Sequence, residues 1–220
     1  MQWLESRWIG ERLAEIPDAD LFPLLDLGSS TLDFRTEVQP YIDQAIFAPL
    51  RARGGRIWHV DAKSGAGVDL AGDLLDEAFV AQLAKLGARS ALVLSIFQHV
   101  ADRQALARSV LRVVPSGGYI LVSGPRRFPV HRDPIDNLFR PSPEEVHALF
   151  PGTELLSARV LDAGNWRQWR AEERGGRSLP RYLVRLCAPF YRPRKWCEVA
   201  VEAPYLFRHI ETYAVVLRRR

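Results

Sequence analysis

The sequence has no run of about 18 apolar residues, so it predicts no membrane-spanning helix. The first twenty residues include three glutamates and no continuous apolar stretch, which argues against a secretory signal peptide. Cysteine is also scarce, because only Cys187 and Cys197 are present. Without an export signal, free thiols are favoured over a disulfide, and we expect a reducing, cytoplasmic location.

The sequence also has no histidines at the spacing that metal sites use. The five histidines are scattered along the chain, so we expect no metal site.

The 220 residues are 47% hydrophobic and 25% charged, a balance typical of a globular chain that can bury a core. The net charge of +4 is uneven, since residues 165–220 hold 13 Lys and Arg against 5 Asp and Glu. A mildly acidic body therefore precedes a basic C-terminal quarter.

Short apolar stretches alternate with amphipathic ones along most of the chain. Residues 1–20 have the spacing of a leading helix, and further helices are predicted at 76–87, 102–114 and 142–152. Strands are predicted at 21–28, 56–62, 67–73, 90–97, 119–125, 153–163 and 211–219. Strands that are apolar throughout are covered on both faces, which predicts one α/β domain with a mostly parallel, doubly wound sheet. In residues 31–55, Pro40 and Pro49 are expected to interrupt any long helix.

The stretch "LLDLGSST", residues 24–31, ends a predicted strand in Asp26, Gly28 and two serines. Asp61 and Asp73 end the next two strands, so three acids are expected along one sheet edge, where parallel sheets bind ligands. No Lys or Arg lies near the glycine turn to meet a pyrophosphate. A nucleoside with a cationic or zwitterionic tail is therefore favoured over NAD or ATP. The alternative is that Asp61 and Asp73 only cap strand ends.

Four motifs occur in a fixed order: "GVDLAGDL" (67–74), "SIFQHVAD" (95–102), "VPSGGYILVSGP" (114–125) and "FPVHRDPIDNLFRPSPEE" (128–145). With them the chain resembles the class I S-adenosylmethionine-dependent methyltransferases over about residues 20–160 and in its final strand. The resemblance implies a Rossmann-like sheet of seven strands with the last antiparallel. It also implies S-adenosylmethionine as cofactor, held by Asp26, Gly28, Ser30, Asp61, Asp73, Leu74, Ser95, Ile96, Phe97 and Gln98.

In this resemblance the loop at Asp26, Gly28 and Ser30 holds the methionine end of the cofactor. Asp61 holds the ribose, Asp73 and Leu74 hold the adenine, and residues 95–98 flank the methyl group. Two positions depart from the family pattern. Serines replace a further glycine after Gly28, which is tolerable if their φ angles are negative, and Gln98 stands where Glu is common.

An oxygen acceptor needs a base near neutral pH, and His131 and His99 both follow strands at the expected edge. Asp133 and Asp136 are candidates to orient His131 or to bind a polyol, and Arg140 is a further substrate candidate. The alternative is a structural loop in which Asp133, Asp136 and Arg140 pair among themselves.

Residues 165–209, called the insertion below, interleave aromatic and basic side chains between the last two predicted strands. We expect a lid over the acceptor site of a single domain spanning 1–220, and its basicity favours an anionic acceptor. Peripheral membrane contact is a second interpretation, and nucleic-acid binding and a solvated basic face are the others. The leading function is methylation of a small-molecule or sugar-containing acceptor, at oxygen. A non-catalytic scaffold and an RNA methyltransferase are the alternatives.

Overall fold

The computed structural model describes residues 1–130, 135–168, 179–190 and 192–220, and at 194, 195 and 198 it describes the backbone alone. Its centre is a seven-stranded sheet in the order β3-β2-β1-β4-β5-β7-β6. The strands are β1 (Leu24–Leu27), β2 (Ile57–Asp61), β3 (Leu70–Ala71), β4 (Ser90–Leu94), β5 (Tyr119–Arg127), β6 (Thr153–Asp162) and β7 (Glu211–Arg219). Strand β7 runs antiparallel to β5 and β6, and the other pairs are parallel. The predicted doubly wound sheet with an antiparallel last strand is confirmed.

Helices cover both faces of this sheet. They are α1 (Trp3–Ala14), α2 (Asp18–Leu21), α3 (Pro40–Ile42), α4 (Ala48–Ala52), α5 (Glu77–Ala84), α6 (Arg103–Val113), α7 (Pro143–Ala148), α8 (Leu179–Leu186) and α9 (Pro193–Glu202). The central strands β1 and β4 are buried along their whole length. Alternate residues of β4 enter different cores, since Val93 packs with α5 and α6 while Leu92 packs with α1 and α4. This double burial explains why those strands are apolar apart from Asp26 in β1 and Ser90 in β4.

Of the two prolines expected to interrupt a helix in residues 31–55, Pro40 does so and Pro49 does not. Pro40 does interrupt, because Gln39 leaves the helical conformation with φ −128° and ψ 67°. Pro49 does not interrupt, and the chain is helical from α3 through α4. The intervening segment Asp43–Phe47 is π-helical. These wider turns accommodate a residue that has no N–H to donate.

Helix α1 approaches this π-helical segment closely at Gly10. A Cβ atom placed on Gly10 would lie 2.1 Å from the carbonyl oxygen of Ala45. In a regular α-helix that carbonyl would accept from residue 49, which is a proline here. Only glycine therefore allows the N-terminal helix to lie against the segment, and this packing holds α1 beside the carboxyl edge of the sheet.

The insertion has a small core of its own between β6 and β7. Trp166, Tyr182 and Val199 are fully buried in it, together with the adjoining Ile210. Two backbone hydrogen bonds join its ends, from Ala163 N–H to the Ile210 carbonyl and from Ile210 N–H to the Gly164 carbonyl.

Over the described ranges, no helix has the length and apolarity needed to cross a bilayer.

Candidate functional site

A cleft of 1430 Å³ opens at the carboxyl edge of the parallel strands. It is the edge at which open α/β sheets bind their ligands. Ten residues predicted from the sequence line it: Asp26, Gly28, Ser30, Asp61, Asp73, Leu74, Ser95, Ile96, Gln98 and His99. They come from the ends of four strands, so the strand order β3-β2-β1-β4 is what brings them together.

The loop after β1 adopts the left-handed backbone region at two positions. Gly28 has φ +75°, and a Cβ atom there would lie 2.6 Å from the Ile96 side chain. Ser30 has φ +55°, so the condition that both serines keep negative φ is not met. The strain at Ser30 is held by its N–H, which donates to Asp61 Oδ2 at 2.8 Å.

The carboxylates at the strand ends already accept backbone hydrogen bonds. Besides Ser30, Asp61 accepts from the Lys63 N–H at 3.0 Å, so it joins the end of β2 to the loop after β1. Asp73 accepts from the Leu75 N–H at 2.8 Å in a turn after β3. Capping therefore describes part of what these acids do. A carboxylate has about four acceptor positions, so both acids retain capacity for a ligand.

Arg35 is a residue that the sequence analysis missed. Its guanidinium donates to the carbonyls of Ser29, Ser30 and Gly67 at 2.8–2.9 Å, and its side chain is almost wholly buried. Burial lowers the pKa of Arg35, and the charge of Asp26 opposes that shift. Arg35 thus lies near the glycine turn in space, although the donors of its guanidinium are engaged by backbone carbonyls. Because these donors bind Ser29 and Ser30 of the loop after β1 and Gly67 between β2 and β3, Arg35 braces the one loop against the other.

Asp26 is buried in β1 and pairs across the sheet with His59 of β2. The distance from Asp26 Oδ2 to His59 Nδ1 is 2.8 Å, and the two residues are register partners. The His59 ring packs edge-on against Phe47 with centroids 4.9 Å apart. His59 therefore orients the Asp26 carboxylate from beneath the cleft floor.

Gln98 and His99 form the part of the cleft beyond β4. Gln98 Nε2 donates to the Ser95 carbonyl at 2.7 Å and lies 3.1 Å from His99 Nε2. His99 Nδ1 contacts the carbonyl of Ile135. The carbonyl contact requires a proton on Nδ1, so neutral His99 presents Nε2 as its acceptor atom. Gln98 Oε1 is buried without a hydrogen-bond partner in the described part of the chain.

The opposite wall comes from α1 and the insertion. Gln2 and Glu5 line it on one side, and Cys197, Val201 and Glu202 line it on the other. Glu5 is 1% exposed and accepts from Ser123 Oγ at 2.5 Å and from the Gln2 N–H at 3.0 Å. Glu202 accepts from the indole of Trp166 at 2.9 Å. The described insertion residues at the cleft are apolar and acidic, which gives no support to an anionic acceptor.

Three of the predicted site residues that the structure describes do not line the cleft with their side chains. The side chain of Phe97 is fully buried in the core, with its ring centroid 6.0 Å from that of Phe150. Asp136 and Arg140 form an ion pair at 2.6 Å and do not line the cleft, as the structural-loop alternative anticipates. His131 and Asp133 lie outside the described residues. Within the described ranges, no group of three His, Cys, Asp or Glu side chains is placed to hold a metal.

The residues of the cleft fit a nucleoside that carries positive charge. Asp26, Asp61 and Asp73 supply three carboxylates along one edge. Gly28 lets the loop pack directly against the Ile96 side chain, at a distance that a Cβ atom would not allow. Gln98 lines the same cleft, and its buried Oε1 has no hydrogen-bond partner among the described residues.

Comparison with known proteins shows the fold. No protein-family model matches the chain, and no curated protein matches it in sequence. Among solved structures, coclaurine N-methyltransferase bound to N-methylheliamine and SAH is similar with TM-score 0.55 at 13% identity, over 97% of this chain and 71% of that one. Geranyl diphosphate C-methyltransferase from Streptomyces coelicolor gives 0.53 at 13%, over 97% and 77%. The cyclase SpnF gives 0.53 at 16%, over 97% and 80%. The chain therefore has the Rossmann-like methyltransferase fold.

Proposed function

We propose that the protein binds S-adenosylmethionine in this cleft and transfers its methyl group to a small-molecule acceptor. The observation that carries the proposal is the convergence of ten strand-end residues on one cleft, three of them carboxylates. Of the two methyltransferases named above, one is an N-methyltransferase and the other is a C-methyltransferase. The fold therefore does not decide the reacting atom.

When bound, S-adenosylmethionine supplies a methyl group on a positively charged sulfur. In the proposal Asp61 accepts from the ribose hydroxyls, and Asp73 and Leu74 contact the adenine. Arg35 and the Asp61 carboxylate fix the loop through Ser30, so the loop is ordered before the ligand arrives. Glu5 and the wall of the insertion exclude water from the acceptor side.

Oxygen as the reacting atom is supported by His99. Its Nδ1 proton is engaged by the Ile135 carbonyl, so Nε2 is the atom that takes a proton from an acceptor hydroxyl. The hydroxyl then displaces Gln98 Nε2 from its contact at 3.1 Å. Buried Glu5 and the nearby Thr212 hydroxyl suit a polyol or sugar-containing acceptor, since both accept hydrogen bonds from hydroxyl groups.

A second function is favoured by two observations. Ser30 holds a left-handed φ where glycine is unstrained, and one neighbour of the same fold is a cyclase. A protein that keeps the fold but not methyl transfer is consistent with both. In that case the cleft binds a different ligand, or the chain serves as a scaffold.

Calorimetric titration with S-adenosylmethionine and S-adenosylhomocysteine tests the proposal, using Asp61→Asn against Asp69→Asn. Both side chains accept a backbone N–H, Asp61 from Ser30 and Asp69 from His59, but Asp69 does not line the cleft. Loss of one charged hydrogen bond to the ribose, about 1.5–3 kcal/mol, predicts roughly tenfold to hundredfold weaker binding for Asp61→Asn alone. Equal affinities in both variants would exclude the ribose role. No binding by the folded wild type would favour the second function.

A further inference from the structure

We propose that α8 and the turn after it form a docking surface for an anionic lipid bilayer. The outward side of α8 is apolar. At 3.6 residues per turn, Pro180, Leu183, Val184 and Cys187 fall on one side, and all four are exposed. Leu183 is 43% and Val184 71% exposed, and Phe190 in the following turn is 98% exposed. Clustered exposed apolar side chains of this size mark an interaction surface.

The orientation of α8 is fixed by its inward side. Tyr182 is fully buried, its hydroxyl donates to the Val199 carbonyl at 2.9 Å, and its ring lies 4.3 Å from that of Trp166. The indole of Trp196 donates to the Leu186 carbonyl at 2.8 Å. These bonds tie α8 to α9 and prevent it from rotating its apolar side inward. The exposed side is therefore a fixed property of the fold.

The positive charge of α8 and the turn after it indicates which partner this surface binds. Residues 179–192, which are α8 and the turn after it, contain three basic side chains, Arg181, Arg185 and Arg192, and no acidic one. An amphipathic helix with cations beside an exposed apolar stripe binds at the interface of membranes that contain anionic lipid. A symmetric dimer through this side would bring two such basic segments together, and the like charges would repel. The bilayer satisfies both the apolar and the basic component.

Vesicle co-sedimentation of the full chain tests the proposal without any cofactor. The probes are mixed phosphatidylcholine–phosphatidylglycerol vesicles and pure phosphatidylcholine vesicles. Val184→Asp is compared with Val38→Asp, because Val38 is a valine of similar exposure, 62%, outside the insertion. We expect binding to the mixed vesicles only, with a partition coefficient about a hundredfold lower for Val184→Asp and unchanged for Val38→Asp. Arg181→Glu should also weaken binding.

Four results would overturn the proposal. The first is that the wild type binds neither type of vesicle. The second is that the wild type binds both types equally. The third is that Val184→Asp binds as well as the wild type does. The fourth is a wild-type dimer, seen by light scattering, that Val184→Asp converts to a monomer, since a second copy would then cover this surface. Circular dichroism of each variant verifies that an exposed substitution leaves the fold intact.

Discussion

Replacing Arg35 with methionine should destabilise the protein far more than the same replacement at Arg51. Both side chains belong to the helical layer that precedes β2. Arg35 is 3% exposed and donates three hydrogen bonds to backbone carbonyls around the cleft. Arg51 pairs with Asp43 on the surface, where its side chain is 54% exposed. The two variants therefore lose the same charge from very different environments.

The magnitude follows from the bonds that are lost. Three bonds from a charged donor, at about 1.5 kcal/mol each at the low end, give roughly 4.5 kcal/mol. Two of them are only partly buried, so water replaces part of that contribution. We expect Arg35→Met to lower the free energy of unfolding by about 3 kcal/mol, and Arg51→Met by about 1 kcal/mol or less.

Urea denaturation followed by fluorescence measures both values, and thermal melts provide a second reading. For a chain of this size a loss of about 3 kcal/mol lowers Tm by roughly 6–12 °C. A similar small loss in both variants would refute the argument, because Arg35 would then not brace the loop after β1. A loss in Arg51→Met as large as that in Arg35→Met would refute it as well.

Two further predictions concern the same helical layer. The bond from Arg51 holds the pKa of Asp43 below its usual value of 3.8, so this carboxylate contributes stability above that pH and loses it as the pH falls through the folded pKa. Asp43→Asn should therefore be less stable than wild type near neutral pH and should match it in strong acid, as measured by urea titration at each pH. Gly10→Ala should destabilise by about 1–3 kcal/mol because its Cβ would meet the Ala45 carbonyl, although an alanine normally stabilises a helix. A higher urea midpoint for Gly10→Ala would contradict the close approach of α1.

The sheet could be predicted from the sequence because its signals are local. Apolar runs separated by amphipathic helices define the order of elements, and Asp61 ends a strand in the sequence as it does in the structure. Contacts between residues far apart in the chain leave no such signal. Glu5 reads as a polar position of a surface helix, yet its carboxylate is buried against Ser123, 118 residues away. Nothing in the local pattern distinguishes it from the other acids of α1.

Local backbone conformation could not be predicted from the sequence either, because contacts with distant parts of the chain determine it. The φ of Ser30 is set by Asp61 and Arg35, which reach it from other elements. The π-helical segment before Pro49 likewise depends on how the chain packs against Gly10. Phe97 lies next to cleft residues in the sequence, but the turn after β4 directs its side chain into the core. Sequence adjacency identified the segment and not the direction of each side chain.

The backbone hydrogen bonds between Ala163, Gly164 and Ile210 hold the two ends of the insertion side by side, so it forms a unit attached to the sheet at one place. The chain leaves the sheet and returns to it at one point, and the intervening residues carry a separate small core. A segment attached in this way can be exchanged during evolution without altering the strands that hold the carboxylates, since loops with adjacent ends tolerate replacement. The part of the cleft wall that the insertion supplies and the proposed lipid contact can therefore diversify together, while the strand-end carboxylates stay constant.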